Sequence, residues 1–144
     1  MTAIATSRGL DQETWTYKEM LLDAGEHAYQ GTQAFIDTAT GGIKAGQAVT
    51  SATLVRIGTF AETVDNSAGM TQVLVTINFP KEIVVQWWAN ALAGDAVAAS
   101  DVGSNCLCLD NQTVTITQTS PATLSVAGRV MAVSATRGVA VEVR

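Results

Sequence analysis

Cys106-Leu107-Cys108, in the stretch DVGSNCLCLDNQTVTI (Asp101–Ile116), sets two thiols one residue apart just before an Asp-Asn turn. A redox centre would join them as a disulfide, and a metal centre would use them as paired sulfur ligands. In an extended strand, residues two apart project from one face about 6.6–6.8 Å apart, which is poor for a strain-free disulfide and leaves a tetrahedral metal two ligands short. The single histidine, His27, is distant in sequence and has no companion ligand near it. The pair therefore reads as small buried thiols on one edge of a β-hairpin.

His27 lies in Gly-Glu-His-Ala-Tyr, where Glu26 or Asp23 could orient it as a general base. A solvated or hydrogen-bonded turn histidine fits the same residues with fewer requirements. A nucleophilic triad needs an activated Ser or Cys, a base and an orienting carboxylate, and no Gly-x-Ser-x-Gly elbow is present. Any two of the thirteen acidic residues could meet as a glycosidase pair, but no spacing points to one. Gly41-Gly42-Ile43-Lys44-Ala45-Gly46 has neither the spacing of a phosphate-binding loop nor a following helix. We assign no catalytic residue, no metal ligand and no cofactor.

The tryptophans carry more information. Along Ile83–Asn90, strand alternation groups Trp87 with Ile83 and Val85, and Trp88 with Val84, Gln86 and Asn90. Trp87 fits a core, whereas Trp88 sits on a mixed polar face. There it can be a half-buried surface residue, a protein-interface anchor or a sugar-stacking platform. The candidate interface residues are Trp88, Gln86, Asn90, Trp15 and Tyr17.

These residues need strands to position them. Short apolar stretches alternate with turn signals at the spacing of an all-β sandwich or barrel. They predict strands at Thr16–Leu22, Thr32–Asp37, Thr53–Phe60, Gln72–Phe79, Ile83–Ala89, Asn105–Leu109, Thr113–Thr117, Arg129–Val133 and Val139–Val143. Alternation is clearest at Val73, Val75, Ile77 and Phe79, and at Val139, Val141 and Val143, so these positions are expected in the core. Turns are expected at Thr40-Gly41-Gly42, Asp65-Asn66-Ser67, Asp110-Asn111 and Arg137-Gly138, with Pro80 closing a strand. Helix is limited to at most one short turn within Asp95–Ser100, and no internal repeat appears.

The 144 residues suit one domain, with 47% hydrophobic content to fill its core. Met1–Thr14 is small, polar and aperiodic and reads as a flexible amino-terminal arm, leaving residues 15–144 as a single β domain. Charged residues make up only 15%, against roughly 25% in ordinary soluble domains, a composition that suits a surface covered by a partner. The net charge is −5, and the eight basic residues are scattered singly, which disfavours nucleic acid. No run approaches the roughly 18 apolar residues of a membrane span, and the first twenty residues lack a secretory pattern. The expected origin is the cytoplasm, or release by a route that needs no signal.

Three stretches, AYQGTQAFIDTATGGIKAG (Ala28–Gly46), SDVGSNCLCLDNQTVTI (Ser100–Ile116) and AGRVMAVSATRGVAVEV (Ala127–Val143), taken in this order and spacing, resemble the capsid decoration, or cement, proteins of tailed bacteriophages. The resemblance runs from about Gly25 to Arg144. It implies a compact β-tulip or barrel-like domain on the outer surface of the expanded head, commonly a homotrimer at local three-fold positions that braces neighbouring major capsid protein subunits. No catalytic residues accompany such a family. A carbohydrate- or host-surface-binding β module of a phage particle is the alternative, and an enzyme a distant third.

Overall fold

The computed structural model describes residues 11–45, 53–118 and 124–143. The chain is mainly β, as the alternation predicts. Its strands are β1 (Gln12–Leu21), β2 (His27–Ala28), β3 (Gln33–Asp37), β4 (Ile43–Ala45), β5 (Leu54–Phe60), β6 (Val64–Asp65), β7 (Leu74–Asn90), β8 (Asn105–Cys108), β9 (Thr113–Thr115), β10 (Val126–Ser134) and β11 (Gly138–Glu142). Two single 3-10 turns, Ala93–Asp95 and Ala99–Asp101, flank the place where one was expected.

The described residues form two compact units, Trp15–Ile83 and residues 11–14 with 84–143. One reason is the length of β7. At 17 residues it exceeds the roughly 3–10 of an ordinary strand, and it gives its first ten residues to one unit and its last seven to the other. Pro80 does not end it, contrary to expectation. Proline already has an extended φ, and residues 80–82 are exposed, so the missing N–H costs no buried hydrogen bond.

In the unit Trp15–Ile83, β3 pairs antiparallel with both β4 and β5, and β5 pairs with β7 through Thr59–Asn78 and Phe60–Ile77. Ile36, Ile43, Phe60, Val75 and Ile77 are buried to 1% exposure or less and form its core. β2 and β6 make a separate two-residue ladder. Within β1 the buried side changes parity, from Trp15 to Met20 and then Leu22 just beyond it, which one extra residue in a strand accomplishes.

Asn66 is the polar centre of this unit, with only 1% of its surface exposed. Its Nδ2 donates to the carbonyls of Leu22 (3.1 Å), Asp23 (3.2 Å) and Met70 (2.8 Å), and its Oδ1 accepts the Met70 N–H (3.0 Å). Its backbone N–H donates to Glu26 and its carbonyl accepts from Gly25 and Gly69. This one residue thus ties together the segments around Leu22, Glu26 and Met70, with its side-chain amide to the first and last and its backbone to the second, satisfying backbone groups that burial would otherwise leave unpaired.

In the other unit the pairings close on themselves. The last part of β7 pairs with β11, β11 with β10, β10 with β8, β8 with β9, and β9 returns to β7. A ring of five strands cannot be antiparallel throughout, and the β7–β9 contact, Ala89–Thr113 and Asn90–Val114, is the parallel one. Closure satisfies both edges of every strand it includes. Val130, Met131, Val139, Ala140 and Val141 are buried to 3% or less. Ala140, expected on the outer face, is therefore buried with its neighbours, while Val143, expected in the core, lies past the end of β11 and is 43% exposed.

Three of the turns are closed in the same way, by an aspartate accepting the N–H two residues on: Asp37 from Ala39 (2.9 Å), Asp65 from Ser67 (2.8 Å) and Asp110 from Gln112 (3.0 Å). Each carboxyl is held below its ordinary value of 3.8. For Asp37 the Ala39 N–H is the main cause, with Lys44 Nζ 3.4 Å away assisting; for Asp65 it is the hydrogen bonds of Ser67; for Asp110 it is the Gln112 N–H. A depressed folded-state value stabilises the fold above the unfolded value and loses that contribution as pH falls through the folded one. The thermal midpoint should therefore hold through mildly acidic pH and drop below about pH 4 as these carboxylates protonate. Asp37→Asn should flatten part of that drop when melting is followed by circular dichroism between pH 2 and 7. Asn66→Ala should cost about 2–4 kcal/mol in urea unfolding, since it strands several buried carbonyls at once.

Candidate functional site

The stretch expected to be an arm is partly strand. β1 starts at Gln12, and residues 11–14 are tied into the closed-ring unit; Met1–Leu10 lie outside the described residues. The Trp87 N–H donates to the Asp11 carbonyl (2.9 Å), and Trp87 Nε1 donates to Glu13 Oε1 (2.9 Å). Arg137 donates to Glu13 Oε2 (3.0 Å) and Asp11 Oδ1 (2.8 Å) while its guanidinium lies 4.1 Å from the centre of the Trp87 ring. Nothing local in Asp11-Gln12-Glu13-Thr14 signals a strand, because what holds it is an arginine more than 120 residues away.

The alternation along β7 places its tryptophans as expected. Trp87 is buried at 5% exposure, and Trp88, Gln86 and Asn90 are half-buried. Asn90, however, spends its amide inside the molecule: Nδ2 donates to the Val97 carbonyl and Oδ1 accepts the Val97 N–H, both at 2.8 Å. It is a clamp on the loop after β7 and not an interface residue. Trp15 is also removed from the interface set, since only 5% of it is exposed and its ring takes Lys18 Nζ at 4.4 Å. Tyr17 is 60% exposed. The change of parity within β1 separates these two residues, which simple alternation would put on one face.

Trp88 and Gln86 line an open groove of about 410 Å³ in the closed-ring unit. Gln86 stands opposite Val141 on β11, another groove residue, and Asn105 of β8 and Val126 of β10 complete it, so four of the five ring strands contribute. Glu142 on its rim is fixed by Arg129, whose Nη2 is 2.6 Å from Glu142 Oε2. Gly128 forms part of the wall with φ +149°; a Cβ there would stand 2.8 Å from Val141 Cγ1 and 2.9 Å from the Glu142 carbonyl oxygen. Glycine is therefore required for β10 to pass β11 this closely. Sequence reasoning found Trp88 and Gln86 by their period; it missed Asn105, Val126 and Glu142, which come from three other strands.

The residues weighed for catalysis are dispersed among structural duties. His27 stacks on Tyr29 with ring centres 4.1 Å apart, and its Nδ1 is 3.8 Å from Asp65 Oδ1 across the β2–β6 ladder. Glu26 accepts the Ala45 N–H, and Asp23 accepts the Thr40 hydroxyl and faces Lys44. Neither proposed neighbour orients His27. Cys106 is fully buried, which pushes its thiol up to about 11 and keeps it protonated and unreactive at neutral pH. Cys108, expected to be buried beside it, is exposed because β8 ends there in the turn leading to Asp110. Both thiols are free, and among the described residues no group of three or more His, Cys, Asp or Glu side chains could hold a metal ion. No helix among them is long and apolar enough to cross a membrane.

No family model, no curated protein and no solved structure matches this chain. Its functional assignment rests on the sequence and the geometry above. The Glu13–Trp87–Arg137 clamp yields one direct expectation. Glu13→Ala leaves the buried Trp87 indole N–H unpaired and should cost about 1–3 kcal/mol in chemical denaturation. A chain beginning at Trp15 should lose more, because it also removes the Asp11 carbonyl.

Proposed function

We propose that this protein is a non-enzymatic capsid decoration, or cement, protein of a tailed bacteriophage. It binds the outer surface of the expanded head and braces neighbouring major capsid protein subunits, acting as a homotrimer at local three-fold positions. The observation that carries this reading is a sheet face on which three large apolar side chains stand in water beside Glu19. Tyr17 and Leu21 alternate outward on β1, and the Leu22 N–H to Val73 carbonyl bond sets Leu21 across from Leu74 on β7. All three are 40–60% exposed. A chain with 15% charged residues has little charge to shield such a face, and a partner surface would cover it.

The sequence resemblance supports the same reading. Two of its stretches, Ser100–Ile116 and Ala127–Val143, cover nearly all of β8, β9, β10 and β11, four strands of the closed ring, and the third covers β3 and β4. A brace needs a rigid body and weak attachments repeated around a lattice. Each attachment then raises the effective concentration of the next, so no single contact must be strong.

The test is co-sedimentation of the purified protein with expanded heads that lack it. Saturable binding is expected, and Tyr17→Ser combined with Leu21→Ser should weaken it at least about tenfold, the loss of roughly 1.4 kcal/mol, without lowering the thermal midpoint. Absence of binding to heads, or binding indifferent to that face, would count against the assignment.

A further inference from the structure

We propose that copies of this chain join through Leu92, which enters a hollow on the neighbouring copy between the end of β7 and the β10–β11 hairpin. The hollow is open and measures about 550 Å³, with Ala89 and Ala91 on one side and Val133 and Ala135 on the other. The polar side chains that line it are already engaged within the chain. Asn90 holds Val97 through both ends of its amide. Ser134 Oγ accepts the N–H groups of Thr136 (3.3 Å) and Arg137 (3.1 Å) and lies 3.2 Å from the Thr136 hydroxyl. What fits such a hollow is an apolar protrusion, which asks no hydrogen bond of it.

Leu92 is that protrusion. It borders the hollow, 64% exposed, on a loop pinned at both ends. The Ala91 N–H donates to the Val114 carbonyl (3.0 Å) before it. The Asp95 carbonyl accepts the Thr115 hydroxyl (2.8 Å) and the Ile116 N–H (3.2 Å) after it. Ala93, between these points, is held at φ +54°, a left-handed conformation that costs a residue with a Cβ about 1 kcal/mol or more. The fold thus keeps a strained turn that holds a large apolar side chain out in water, and a side chain fixed in this way loses little entropy on docking.

Charge and area both select a second copy. With a net charge of −5, two copies repel over most of their surface. Here the lining holds no acidic residue and one basic one, Arg137, which stays 40% exposed although Asp11 and Glu13 take two of its nitrogens. The loop brings the opposite sign, Asp95, three residues after Leu92. The ten lining residues fall short of the roughly 20–30 a side of a stable interface, so one such contact holds a foreign partner poorly. A copy within a ring is held twice, once by its leucine and once by its hollow. Knob and hollow are unlike patches, and the smallest ring that unlike patches close has three members. The number three rests on the homotrimer proposed above; the contact uses none of Tyr17, Leu21 or Leu74.

The experiment is sedimentation equilibrium of the full chain, without heads, at up to about 200 μM. The wild type should approach three times the chain mass. Leu92→Ser, and separately Ala135→Glu in the hollow, should raise the concentration of half-association at least about tenfold. Both positions are exposed, so the melting curves should not change. Val126→Ser, at a residue 60% exposed and outside the hollow, should associate as the wild type does. A wild type that stays monomeric, a species that stops at the dimer, or association indifferent to Leu92→Ser overturns the proposal. Co-sedimentation with heads separates this failure from that of the brace reading: a monomer that still binds heads removes only the Leu92 contact, and a trimer that ignores heads removes only the brace.

Discussion

Side-chain alternation along β7 is the constraint on which both units depend. Val75, Ile77 and Phe79 enter the core of one, and Val85 and Trp87 are buried in the other, with the same parity kept on both sides of Pro80. A slip of one residue would expose all five at once, so the register of this strand is strongly fixed. The even-numbered residues it leaves on the other face include Gln86 and Trp88, which line the groove. The candidate binding surface is thus a direct by-product of the pattern that builds the core.

Two local devices complete what alternation begins. In the unit Trp15–Ile83, the buried Asn66 links the segments around Leu22, Glu26 and Met70, through its side-chain amide to the first and last and its backbone to the second. In the other unit the strands satisfy one another by closing into a ring, and Arg137 with Glu13 secures the start of β1 against Trp87. The first device depends on burial and the second on closure. The exposed ion pairs of Arg137 contribute geometry more than free energy, since water and salt screen them.

The long strands and most turns are legible in the sequence because period two over five or more residues leaves a pattern that nothing else produces. β2, β4 and β6 are two or three residues long, too short for any period, and become strands only through their partners. Trp15 and Tyr17 look equivalent until the change of parity within β1 buries one and exposes the other. Asn66 reads as an ordinary turn residue; its role depends on carbonyls more than forty positions earlier in the chain. The groove is half legible, since Trp88 and Gln86 follow from one strand while Asn105 and Glu142 require the pairing of β8 and β11 on either side of β10.

A shell brace and a component present in a few copies differ most simply in number. The direct measurement is the copy number of this chain relative to the major capsid protein in purified particles, by quantitative mass spectrometry with isotope-labelled peptides of both. The account predicts a ratio near one to one, as expected if every lattice position carries a protomer. A handful of copies per particle, or none, would contradict it.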